Sequence, residues 1–235
     1  MLDPLPVSFG AAREAMHALA EHVFAPLRYR ADGHIGLTPT TNGFGTPVLG
    51  DGERARVEGV ELVYERPGTT TRVGLTTLGA AARFVGVPLG APEEVYRPAT
   101  ECAQERTIAI DGGAAKALAD WIALADSLLT DLRDAYAAQD TTGATIWPEH
   151  FDLACEMGDA GAGTRATYGA SPGDDDLPEP YLYVGPWDAK RRVGTLAAYP
   201  FGAAITYDAL RAGRDPRGTG AEFLMECAAL VLGQP

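Results

Sequence analysis

The chain has 235 residues, 46% of them hydrophobic and 22% charged, with 28 glycines, 17 prolines and a formal net charge of −13. That apolar fraction excludes a disordered chain, which lacks the buried surface to offset ordering entropy. Thirty-two acids against 19 bases exclude the basic footprint that nucleic-acid binding needs, and no apolar run approaches the roughly 18 residues of a membrane span.

Taken in chain order, the opening MLDPLPVSFG has neither a basic nor an apolar region, so no signal peptide is expected. Ser8 caps a predicted helix whose Ala12, Met16, Leu19, Ala20, Val23 and Phe24 recur at helical spacing, to about Leu27. His17 and His22 lie on it five residues apart. Five residues advance an α-helix by about 140° beyond a full turn, so the two are not expected to share a face. Residues 34–50 read as short extended pieces broken by Pro39, Asn42-Gly43 and Pro47. Arg56 to Glu65 alternates, Pro67-Gly68 marks a turn, and Thr70 to Leu75 is rich in β-formers, which predicts a hairpin. Thr77 caps a predicted helix through Ala81, Ala82 and Val85.

Residues 86–104 read as a loop with three prolines, and Glu105 to Ile110 as a strand. Asp111 then caps the longest predicted helix, to about Gln139, with the stripe Ala115, Leu118, Ile122, Ala125, Leu129, Leu132 and Tyr136. Asp120, Asp126, Asp131 and Asp134 occupy its other faces. Strands return from Ile146, and Thr219 with Glu222 forms a capping box that opens a C-terminal helix through Leu232. Helices between hairpin-like strand groups predict a single α+β domain over 1–235, with a largely antiparallel sheet flanked by helices and one long central helix.

Charge is uneven. Residues 118–188 hold −12 of the total, and 149–188 alone hold −8. Such a surface either aids solubility or receives cations and basic ligands. The cysteines, Cys102, Cys155 and Cys227, are odd in number and lack C-x-x-C spacing. They predict free thiols and, with no leader, a cytoplasmic location.

The segment richest in chemistry is Glu149-His150-Phe151-Asp152-Leu153-Ala154-Cys155-Glu156-Met157. Read as one strand, it buries Phe151, Leu153, Cys155 and Met157 and presents His150, Asp152, Ala154 and Glu156 on the other face. An imidazole beside carboxylates suits acid–base work or a metal. Gly169-Ala170-Ser171-Pro172-Gly173 matches G-x-S-x-G, but Pro172 forbids the helix of a nucleophile elbow and no His follows. Asp174, Asp175 and Asp176 offer hard oxygens for a divalent cation, without the alternate spacing of an EF-hand loop. Gly158, Gly161 and Gly163 read as a flexible loop. Tyr181 and Tyr183 share one face of a further strand and suit a pocket wall.

Trp147-Pro148, His150 to Ala154, Tyr168 to Asp174 and Pro180 to Val184, with the earlier Ile35 to Pro39, Asn42 and Thr46 to Val48, resemble in order and spacing a bacterial family of unknown function. Members often show a second His or a Gly where this chain has Glu149. The resemblance implies a self-contained cytoplasmic domain with its motif segments close together, and carries no activity.

Three functional expectations follow. The first is a small-molecule pocket centred on the Trp147–Asp152 segment, lined by Trp147, His150, Asp152, Ser171, Tyr181 and Tyr183. The second is a metal-assisted hydrolase or lyase with a divalent ion on His150, Asp152, Glu156 and Asp174. The third is a non-catalytic acidic interaction domain. Neither nucleic acid nor membrane is an expected partner, and nothing in the sequence fixes an oligomeric state.

Overall fold

The computed structural model describes residues 2–233. The chain divides into two compact units, one of Leu5–Ala123 with Thr145–Phe151, the other of Met1–Pro4, Leu124–Ala144 and Asp152–Pro235.

The first unit opens with α1 (Phe9–Leu19), which passes through a π-helical turn, Ala20–Phe24, into α2 (Ala25–Asp32). The predicted first helix is thus present and longer than its pattern suggested, ending at Gly33 in a left-handed cap. Short strands β1 (Thr38–Thr40) and β2 (Gly43–Gly45) follow, joined at Asn42 with φ 64°. The expected single strand over 56–65 is instead two, β3 (Arg54–Glu58) and β4 (Glu61–Arg66), because Gly59 turns the chain at φ 64°. The Pro67-Gly68 turn leads into β5 (Thr69–Gly74) as predicted. Helix α3 (Leu78–Val85) is capped by Thr77 Oγ1, which accepts from the Ala80 N–H at 3.2 Å. Glu105 to Ile110 forms no strand; a single bridge between Thr77 and Thr107 is all the pairing it makes, since the segment is tied locally to the start of α3.

Helix α4 (Gly112–Ala135) has the long predicted span, about 36 Å at 1.5 Å per residue. Asp111 Oδ1 accepts from the Gly113 and Ala114 N–H groups at 2.9 Å, and the whole predicted stripe is buried. Strand β6 (Thr145–Trp147) returns to the first unit, where Ile146 bridges Leu37. The first unit's core gathers around Phe44, which meets Phe24 at 5.5 Å and Phe151 at 5.1 Å between ring centroids.

The second unit holds β7 (Asp152–Met157), β8 (Ala166–Ser171), β9 (Tyr181–Pro186) and β10 (Ala203–Thr206), then α5 (Tyr207–Ala212) and α6 (Pro216–Leu232). Helix α6 starts a turn before the expected capping box. Asp215 accepts from the Gly218 N–H at 3.0 Å, and Pro216 at the first helical position is pre-set for that start. Strand faces are set by registers Gly169–Tyr183–Ala204 and Ser171–Tyr181–Thr206. One face, with Leu153, Cys155, Tyr168, Leu182 and Val184, is apolar and buried. Gly220 of α6 fits between Leu128 and Leu182, where a Cβ would lie 3.0 Å from each side chain. The chain is α+β, its strands in two antiparallel sheets ordered β1-β2-β3-β4-β5 and β10-β9-β8-β7-β6. No helix among the described residues is long and apolar enough to cross a membrane.

Candidate functional site

The second face of the β7–β10 sheet carries chemistry. Alternation places Asp152, Ala154, Gly169, Ser171, Tyr181, Tyr183, Ala204 and Thr206 there. Two tyrosines thus rise from a floor of small residues. Gly169 is required beneath them: a Cβ at this position would lie 2.6 Å from the Tyr183 ring. Tyr183 donates its hydroxyl to Asp152 Oδ2, and Tyr181 donates to Asp174 Oδ2 at 2.5 Å. The rings stand 6.0 Å apart and both pack on Phe201, at 6.1 and 6.0 Å, with Tyr199 stacked behind it at 5.4 Å. Asp152 and Ser171 are among the few polar residues that are buried. Burial and the adjoining carboxylates push both tyrosine hydroxyls well above their ordinary range, so they remain donors at every physiological pH.

Of the expected ligand-binding residues, then, Asp152, Ser171, Tyr181 and Tyr183 share this face, and Asp174 joins them. His150 does not extend the strand. The chain turns at Trp147–Phe151, with the Phe151 N–H donating to the Trp147 carbonyl at 2.7 Å. Phe151 has φ 52°, and pleating begins only at Asp152. A positive φ is rare for a bulky residue, and no sequence pattern announces it. His150 and Trp147 lie exposed in the first unit.

The expected metal set is not formed. Among the described residues no three His, Cys, Asp or Glu side chains gather as a metal-holding group, and His150, Asp152, Glu156 and Asp174 are no exception. Their oxygens have other work. Glu156 Oε2 pairs with Arg165 at 2.9 Å, and Asp174 Oδ1 caps its own loop through the Asp176 and Leu177 N–H groups at 2.9 and 2.8 Å. Two of the four α4 aspartates are likewise engaged, Asp120 by Lys116 and Asp131 by Arg217.

A second cluster lies at the π-turn of the first unit, where Glu21, which the sequence did not single out, joins His17 and His22. Glu21 and His22 are completely buried. Glu21 Oε1 accepts from the Ala99 N–H at 2.8 Å; its Oε2 accepts from the Thr100 N–H at 2.8 Å and the Thr100 hydroxyl at 2.6 Å. The Nε2 atoms of His17 and His22 lie 3.8 and 3.9 Å from that same Oε2. The two histidines therefore do share a face, contrary to the α-helical reading. A π-turn closes its hydrogen bond over five residues, here from the Ala25 N–H to the Ala20 carbonyl, and so brings the sixth residue over the first. His17 Nε2 donates to the Pro148 carbonyl at 2.9 Å, since a carbonyl only accepts, and the ring stacks on Phe151. Burial holds both imidazoles below their ordinary 6.5, against the opposing pull of Glu21. One sequence signal was available: Glu21-His22 interrupts a helix that is otherwise apolar all round, from Ala18 to Phe24.

Compared with protein-family models, with curated proteins and with solved structures, the chain matches none.

Proposed function

We propose that the protein binds a small organic cation on the tyrosine face of β7–β10. The observation that carries this reading is the pairing of two tyrosine rings, packed on Phe201, with the carboxylates of Asp152 and Asp174. Aromatic faces attract ammonium groups through the ring quadrupole, by about 0.5–2 kcal/mol per ring. A carboxylate beside them supplies charge that a hydroxyl orients without neutralising. The net −8 of residues 149–188 favours the same sign of ligand. The three free cysteines support a reducing, cytoplasmic setting for it.

The test is a thermal-shift and calorimetric comparison of benzylamine and tetramethylammonium with benzyl alcohol and benzoate. A ligand that prefers the native state raises its melting point. The cations should do so, and Tyr183→Phe and Asp152→Asn should abolish the shift while remaining folded. Equal responses to the neutral and anionic analogues, or no response to any, would refute the reading.

A further inference from the structure

The hydrogen bonds around His22 fix its tautomer. The Thr100 hydroxyl proton goes to Glu21 Oε2, 2.6 Å away. His22 Nε2 lies 3.0 Å from the Thr100 carbonyl and 3.1 Å from Thr100 Oγ1, and the carbonyl can only accept. Nε2 therefore carries the ring proton, and Nδ1 is a bare lone-pair nitrogen. That atom is fully buried and meets no donor among the described residues. A buried acceptor without a partner is costly and marks a group that something else satisfies.

The surroundings describe what that is. The loop 86–104 is strapped over the π-turn: Gly90 N–H donates to the His22 carbonyl at 3.1 Å, and Ala99 and Thr100 are held by Glu21. Glu21 orients Thr100, Thr100 orients His22, and the imidazole presents Nδ1, as a base is presented by its orienting partners in acid–base sites. Nδ1 accepts, so the ligand donates. Glu21 and His22 have no solvent exposure, and a neutral donor costs far less to bury beside them than a cation. The Tyr96 hydroxyl lies 3.5 Å from the Glu21 carbonyl, at the limit of a hydrogen bond, and so offers a donor for a ligand carbonyl. Glu149 Oε2 is a second buried acceptor that meets no partner among the described residues, and Glu149 acts electrostatically on Tyr96.

We propose that the π-turn and the loop 86–104 enclose a second binding site, in which His22 Nδ1 accepts a hydrogen bond from an uncharged amide- or lactam-type N–H group. It involves none of the residues of the tyrosine face and stands or falls separately from it.

The test uses the whole protein labelled with ¹⁵N-histidine. Nitrogen signals of His22 are identified by their loss in His22→Asn, against those of His17, His34 and His150. In the free protein at neutral pH, Nε2 should show the N–H signature and Nδ1 the lone-pair signature. Uracil, 2-pyrrolidinone and acetamide, titrated into the tens of millimolar, should shift Nδ1 saturably while His34 and His150 stay unchanged. The proposal is overturned if Nδ1 carries the proton, or if no fragment moves it, which leaves a site that holds water alone. It is also overturned if guanidinium at the same concentrations moves Nδ1 and the amides do not.

Discussion

Replacing Glu21 by Gln changes one oxygen to an NH₂ group and almost nothing of the shape. The effect follows from three hydrogen bonds, from the Ala99 N–H, the Thr100 N–H and the Thr100 hydroxyl, at 2.8, 2.8 and 2.6 Å. Bonds to a charged acceptor contribute about 1.5–3 kcal/mol, and neutral ones about 0.5–1.5. If the amide oxygen takes the Oε2 position, two bonds weaken by about 1 kcal/mol each. The Ala99 N–H then faces another donor in a buried place, which costs about 1–3 kcal/mol more. The expected loss is about 3–5 kcal/mol, a large part of the roughly 5–15 kcal/mol that holds a domain together. Urea unfolding measures the global part, and hydrogen exchange of the Ala99 and Thr100 amides measures the local part. Since 1.4 kcal/mol is tenfold, those amides should exchange at least about 100-fold faster. Stability within about 0.5 kcal/mol of the parent, with unchanged exchange at both amides, would show that the carboxylate does not anchor the 86–104 loop.

His17 and His22 are held below 6.5 by burial, so in acid the unfolded chain binds protons that the fold does not. Stability should be constant above pH 6.5 and fall below it, with a shallower fall in His22→Asn; a rise on acidification contradicts the assignment. Gly169→Ala places a Cβ 2.6 Å from the Tyr183 ring and should cost about 1–3 kcal/mol in urea unfolding. Tyr183→Phe removes the hydroxyl donated to buried Asp152 and should cost about 1–3 kcal/mol, with equal stability of variant and parent counting against the pair. In a thiol titration with a disulfide reagent, exposed Cys102 should react at once, whereas buried Cys155, pushed up to about 12, and Cys227, pushed up to about 11, should wait for denaturant.

Elements whose periodicity matches their structure were legible in the sequence. Helix α4, the Thr77 cap and the β4–β5 hairpin follow from spacing and turn chemistry alone. So does the shared face of Tyr181 and Tyr183, since a strand period of two leaves them no alternative. Legibility failed where one residue departs from the regular backbone. Phe151 at φ 52° moved His150 out of the strand, and Gly59 divided a stretch read as one strand, although its inward positions change phase between Val57 and Leu62. The π-turn is the costliest case for function. A single extra residue in the helix changes which side chains meet, and the sequence carries no mark of it beyond a charged pair in an apolar setting.

The two clusters share a chemical device. Ordinary carboxylates here meet guanidinium groups: Asp32 pairs with Arg28, Glu58 and Glu65 with Arg56, and Asp140 and Glu156 with Arg165. Such pairs cancel charge and contribute little beyond local order where solvent screens them. Asp152, Asp174 and Glu21 accept hydrogen bonds from hydroxyl groups, those of Tyr183, Tyr181 and Thr100. A hydroxyl orients a carboxylate but leaves its charge in place, and where the carboxylate is buried, as for Glu21 and Asp152, that charge acts strongly on whatever lies next to it. On the tyrosine face, in the function proposed above, it would act across aromatic rings on a ligand of opposite sign. At the π-turn it acts through Thr100 on an imidazole, fixing the proton on Nε2 and leaving Nδ1 as the acceptor.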